Sequence, residues 1–240
     1  MTLFNPTIAT ITVQGLFGRR RFLLLLPLPV LLVGLALLAR GLGAPATDWV
    51  EPVVIGLGFA AVLPVIALIV GTGVLGSEID DGTLVHILAK PLARRDIIIT
   101  KLVVAVVVTA LTVGVPMFAV GLVAGSAKFG LGLAVGCLLG AAAYSALFLA
   151  LSLLSRRPVL IGLLYVLIWE GVLGNLLTGT RLLSIQQYVV AVSARVGGTD
   201  LLSGRVGVPF SVVMALVATA GATVLAVSRL RSFSVAGETS

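Results

Sequence analysis

Hydrophobic residues gather into six long runs, Phe22–Ala39, Val53–Leu75, Leu102–Ala124, Leu131–Leu154, Val159–Leu177 and Val208–Val227, separated by polar segments of very different lengths. A helix needs about 20 mostly apolar residues to cross a bilayer, so each run qualifies as a span. The fourth and fifth runs are parted only by Ser155, Arg156, Arg157 and Pro158, which predicts a tight helical hairpin. Pro27, Pro29, Pro64 and Pro116 fall inside the runs. They would break soluble helices, but a membrane bundle tolerates them as kinks. The pattern predicts an all-α membrane protein in which residues 1–240 form a single six-span domain.

Four polar or mixed segments complete the organisation. Residues 1–21 form an N-terminal segment in which Ile8, Ile11, Val13, Leu16 and Phe17 supply the apolar face of a short interfacial helix, with Arg19, Arg20 and Arg21 at headgroup level. No small-residue cleavage site closes the run that follows, so it reads as a retained first span and not a signal peptide. Residues 76–101 are a long inner segment. Residues 178–207 alternate apolar pairs with polar residues and read as an amphipathic or re-entrant element near the outer face. Residues 228–240 are a tail.

Composition agrees with lipid as the solvent. Of the 240 residues 59% are hydrophobic and 10% charged, against about 25% charged in soluble domains. The net charge of +7 would suggest nucleic acid in a soluble protein. Here it follows from basic residues gathered on one side of the membrane, and nucleic-acid binding is not expected. With the N-terminus inside, 11 of the 16 Lys and Arg residues fall in inner segments, which puts both termini in the cytoplasm. Cys137 is the one cysteine and His86 the one histidine, which rules out an intrachain disulfide and a Cys- or His-rich metal site.

The inner segment holds the most information. Ser77 and Asp80 have capping-box spacing, and Asp81 offers a second helix start. Leu84, Ile87 and Leu88 then recur at helical spacing until Pro91 ends the pattern. A short amphipathic helix is predicted, acidic at its start and basic at its end, as the helix dipole favours. Two readings are open: a solvated loop with basic anchors, or a knob that inserts its apolar stripe into a partner's groove.

The order Glu78, Gly82-Thr83-Leu84, Leu88, Pro91, Arg94 and Lys101, placed just after the second span, resembles the signature of type-2 ABC exporter permeases of bacteria. The six-span layout and the long last outer segment resemble that family too. The resemblance implies that residues 76–101 carry a coupling helix that docks on an ATP-binding cassette subunit, with Glu78, Gly82, Thr83, Leu84, Leu88 and Arg94 as the coupling contacts. It implies a second permease copy, identical or related, and a place in the bacterial plasma membrane. It further implies export of a small molecule, drug or lipid-like substrate, with ATP and Mg used by the partner and no cofactor on this chain. No Gly-x-x-x-x-Gly-Lys-Ser/Thr occurs: Gly71 and Gly76 have the glycine spacing, but Ser77 stands where lysine is required.

Within the spans, Glu170 stands out beside Trp169, with Asn175 five residues on. A carboxylate in hydrocarbon costs about 2.5–3.5 kcal/mol on insertion scales. It either lines a transport pathway together with Trp169 and Asn175, or pairs with a polar group at a helix contact. Gly132, Gly136 and Gly140 repeat every four residues, a spacing that lets helices approach closely. Gly71, Gly73 and Gly76 serve either a hinge or close packing. An ion-coupled secondary transporter is the alternative, weakened because Glu170 is nearly alone among the spans. An intramembrane enzyme would need converging groups, and Glu170, Cys137 and His86 lie on different segments. A non-transporting membrane protein remains a further alternative.

Overall fold

The computed structural model describes residues 6–17, 26–80, 94–173, 180–202, 204 and 206–232, and all regular structure among them is helical. Helix α1 (Pro6–Phe17) is followed by α2 (Pro27–Gly41). Next come α3 (Ala46–Glu51), a π-helical stretch (Pro52–Val62) and α4 (Leu63–Asp80), which run on without a break. Then α5 (Arg94–Val123) and α6 (Ala127–Leu154) form an antiparallel pair. The remaining elements are α7 (Pro158–Leu164), a second π-helical stretch (Tyr165–Leu173), a 3₁₀ turn (Thr180–Leu183), α8 (Ile185–Gly197) and α9 (Val208–Ser232).

Among the described residues, four helices are long and apolar enough to cross a membrane: Ala46–Leu75, Arg94–Val123, Ala127–Leu154 and Val208–Leu230. They coincide with the second, third, fourth and sixth expected spans. At the other two expected spans the described residues hold shorter apolar helices, Pro27–Gly41 and Pro158–Val172, below spanning length. Large apolar side chains cover the outside of the bundle, among them Val30, Leu111, Val115, Leu216 and Val224. Water would penalise so much exposed hydrocarbon, whereas lipid does not.

Local chemistry sets the boundaries. Ser126 caps α6 by accepting from the Phe129 amide at 3.2 Å. In the hairpin between α6 and α7 the Ser155 hydroxyl accepts from the Arg157 amide at 3.0 Å, and Pro158 opens α7 at a position that needs no N–H. Pro27 and Pro29 likewise sit in the first turn of α2 and start the helix instead of kinking it. The first π-helical stretch lies between Pro52 and Pro64, and at its end the Leu63 amide reaches back five residues to the Gly58 carbonyl.

α6 is the centre of the bundle and packs against α4, α5, α8 and α9. The fold of the outer segment differs from a helix lying on the surface. Every residue of α8 from Ile185 to Ser193 is buried, clamped between α6 and α9. The glycine stripe of α6 makes this possible. A Cβ at Gly132 would meet Gly197 N at 2.5 Å and Ser193 O at 2.6 Å, and one at Gly140 would meet Val189 Cγ2 at 2.7 Å. Gly197 therefore sits beside the N-terminal part of α6 and Val189 about 12 Å further along its axis, so α8 runs antiparallel to α6.

At the opposite end, α1 packs on α4 and α5. Leu16 Cδ2 lies 3.3 Å from where a Cβ of Gly73 would stand, while Ile11 and Val13 face outward. Gly71 is in close contact too, with Phe148 Cβ 3.1 Å and Ser145 O 3.2 Å from its Cβ position. Both glycines are packing positions. The helix start read at Ser77 is absent, because α4 continues through Asp80. The expected short helix around Leu84–Leu88 lies outside the described residues.

Candidate functional site

Two clusters collect the polar groups that the sequence singles out. In the first, Glu78 belongs to the last turn of α4, and Arg94 opens α5. Gly82, Thr83, Leu84 and Leu88 lie outside the described residues. The Arg94 guanidinium donates to the Leu230 carbonyl at 3.2 Å, near the C-terminal end of α9, where carbonyls lack helical partners and the dipole favours a cation. Arg95 and Asp96 form a partly exposed pair at 3.3 Å, which contributes little to stability. Lys101 is fully buried, and its Nζ donates to the Val74 carbonyl of α4 at 2.6 Å. The two helices that bracket segment 81–93 are thereby joined to each other and to the last helix.

The second cluster surrounds Glu170, which is 1% exposed. Its carboxylate accepts from Ser184 Oγ at 2.5 Å, from the Ile185 amide at 2.9 Å and from the Tyr165 hydroxyl at 3.3 Å. Ser184 is the N-cap of α8 and also accepts from the Gln187 amide at 3.4 Å. Glu170 thus occupies the electropositive N-terminus of a helix inserted into the bundle, where backbone N–H groups and the dipole stabilise an anion. Tyr144 also faces this carboxylate, its hydroxyl buried and without a formed hydrogen bond.

The π-helical stretches frame this cluster. Glu170 and Tyr165 belong to the second. A carbonyl of the first, Ile55 O, accepts from Gln186 Nε2 at 3.4 Å. Trp169 reaches the same turn, its indole N–H donating to the Leu183 carbonyl at 3.4 Å. Tyr188 donates to the Leu182 carbonyl and stacks edge-on with Phe210 of α9. The C-terminal end of α8 is closed by Gly198 in the left-handed region (φ 60), with the Lys128 side chain laid against it. Asn175 lies outside the described residues.

Sequence reading missed Ser184 and Gln186. A signal was available for Ser184: Ser184 followed by Gln187 has capping-box spacing. Nothing in the sequence marks Gln186 or the burial of Lys101, because their partners come from helices far away in the chain.

Four helices of spanning length, wrapped in exposed hydrocarbon, define an integral multi-pass membrane protein. Residues 19–178, two-thirds of the chain, match the family described as ABC-2 family transporter protein, and the chain belongs to that family. The match takes in α2 through the stretch carrying Glu170, together with segment 81–93. A permease of this family is the membrane component of an ABC transporter, is not itself catalytic, and normally works with an ATP-binding subunit. No curated protein matches the chain.

Proposed function

We propose that this chain is the permease subunit of an ATP-driven exporter, docking a separate ATP-binding subunit through segment 76–101 and working as one of a pair of permeases. The observation that carries the reading is family membership over a region that includes that segment. Several further features support it. Segment 76–101 follows a long apolar helix, has an apolar stripe at Leu84, Ile87 and Leu88, and leads into α5 at Arg94. The basic residues favour its side of the membrane as cytoplasmic. The apolar runs Phe22–Ala39 and Val159–Leu177, which contain most of α2 and most of α7, are each about long enough to span.

In this scheme ATP and Mg belong to the partner. Its closure on ATP pushes segment 76–101, and α4 and α5 tilt and turn the pathway outward. The scarcity of polar groups within the spans fits an apolar, drug-like or lipid-like cargo.

Two results are expected. The tagged chain, drawn from its native membrane in mild detergent, brings down an ATP-binding subunit, and Leu84→Asp with Leu88→Asp loses at least about tenfold of it, since a charge in an apolar groove costs more than 1.4 kcal/mol. Recovery of the chain with no such subunit would overturn the reading. In topology mapping, Lys90→Cys reacts with a membrane-impermeant maleimide only after the cytoplasmic face is opened. The native Cys137 is fully buried and stays silent. Labelling of Lys90→Cys in intact cells would reverse the orientation.

A further inference from the structure

Lys101 is 0% exposed, the one lysine among the largest fully enclosed side chains. Val74 and Leu75 of α4, and Ile97, Ile98, Val104 and Ala105 one turn either side of it on α5, are all buried. Taking an ammonium out of water costs several kcal/mol unless it is well paired, and a methionine would fill similar space without that cost. Packing alone therefore does not account for a lysine here. The ammonium makes a bond across to α4, to the Val74 carbonyl.

The position of that bond is informative. Val74 lies about two turns before the end of α4 at Asp80, and Lys101 about two turns after the start of α5 at Arg94. The bond joins the two helices that border the segment assigned above to the ATP-binding partner. Beyond the bond both helices lean on one residue of α6. Gly71 of α4 has Ser145 O 3.2 Å from its Cβ position, and Thr109 Oγ1 of α5 lies 3.5 Å from Ser145 Oγ. α6 in turn carries α8 on its glycine stripe. Packed residues thus run from the Lys101–Val74 pair through α6 to α8.

We propose that Lys101 is a positioning residue for coupling: it ties the two roots of segment 76–101 so that α4 and α5 move as one body when the partner pushes on that segment. The proposal rests on the exporter reading. Without the tie, a push on the segment moves one helix and is absorbed as slack by the other.

The test uses the whole complex of permease and ATP-binding subunit in vesicles of phosphatidylethanolamine and phosphatidylglycerol. Hydrogen exchange is followed at the amides of residues 70–80 and 94–104, with and without ATP and vanadate. In the parent complex nucleotide changes exchange in both segments together. In Lys101→Met the partner still assembles, but the response of one segment falls about tenfold, the effect of losing a hydrogen bond to a charged group. Lys101→Arg, which keeps a buried cation donor, restores the paired response. If Lys101→Met does not accumulate, Lys101→Gln takes its place, with the same loss expected. A paired response as large as the parent's in the methionine or glutamine variant overturns the proposal. So does an arginine variant no better than methionine, which would make the side chain mere packing. Failure of the exporter reading is separate and visible beforehand, as a parent chain that recovers no ATP-binding subunit.

Discussion

Gly132→Val gives no folded, monodisperse protein, and Gly132→Ala costs more stability than alanine at Gly136 or Gly140. The reason is what each added carbon would meet. At Gly132 the neighbours are Gly197 N at 2.5 Å, Ser193 O at 2.6 Å and Gly197 Cα at 2.7 Å, all backbone of α8. Backbone cannot swing aside, so α8 has to move bodily, against its anchor on Glu170 at one end and its left-handed cap at Gly198 at the other. At Gly136 the added carbon overlaps the Ser193 hydroxyl, which can rotate, and then meets the Val189 carbonyl at 3.0 Å. At Gly140 it meets only methyl groups of Leu63 and Val189. The expected order of cost is Gly132, Gly136, Gly140, with the first at or above the upper end of the about 1–3 kcal/mol range for overpacking. Gly221, with open space around it, accepts alanine without loss. Melting of detergent-purified protein, read by size exclusion after heating, checks the series. A Gly132→Ala protein that melts with the parent would mean that α8 is not seated on this stripe.

Glu170→Ala is the second large effect. The substitution removes the acceptor for three donors, Ser184 Oγ, the Ile185 amide and the Tyr165 hydroxyl, in a site closed to water. A buried donor left without a partner costs about 1–3 kcal/mol. The Ile185 amide cannot turn away, because it is fixed at the start of α8. The expected loss is about 3–5 kcal/mol, the range for breaking a buried charged network, or about 10 °C in melting temperature for a chain of this size. Glu170→Gln loses far less: one oxygen still accepts, and the Ser184 hydroxyl can rotate to accept from the new amide. Ser184→Ala removes only one bond. The double variant Glu170→Ala with Ser184→Ala falls short of additivity, since the two share an interaction. Additive losses would mean that Glu170 does not hold α8 through Ser184. The same series separates anchoring from a pathway role. A Glu170→Gln complex with parental melting but altered ATP turnover would place the acid on the transport route.

Much of the architecture was legible beforehand because lipid imposes simple rules. Runs of about 20 apolar residues have one use in such a composition, so the helices at Ala46–Leu75, Arg94–Val123, Ala127–Leu154 and Val208–Leu230 follow from hydropathy. The four-residue glycine repeat announced close packing, and Ser155 to Pro158 announced a hairpin. The resemblance read from Glu78 to Lys101 led to the right family. What failed was local. Ser77 reads as a helix start, but the apolar helix before it is long enough to carry through Asp80.

The sequence by itself determined that this chain lives in a membrane, where its long helices lie and which transporter family it belongs to, because those depend on composition and order along the chain. Only the tertiary structure decided which groups meet. Alternating apolar and polar pairs in residues 178–207 suit a surface helix as well as an inserted one, and the glycine groove of α6, more than forty residues earlier, buries α8. Glu170 gains its partners from the capped end of that helix, and Lys101 gains Val74 from the far side of the inner segment. Such pairings join positions that hydrophobic periodicity cannot link, since the pattern records which residues avoid water and not which helix each one faces.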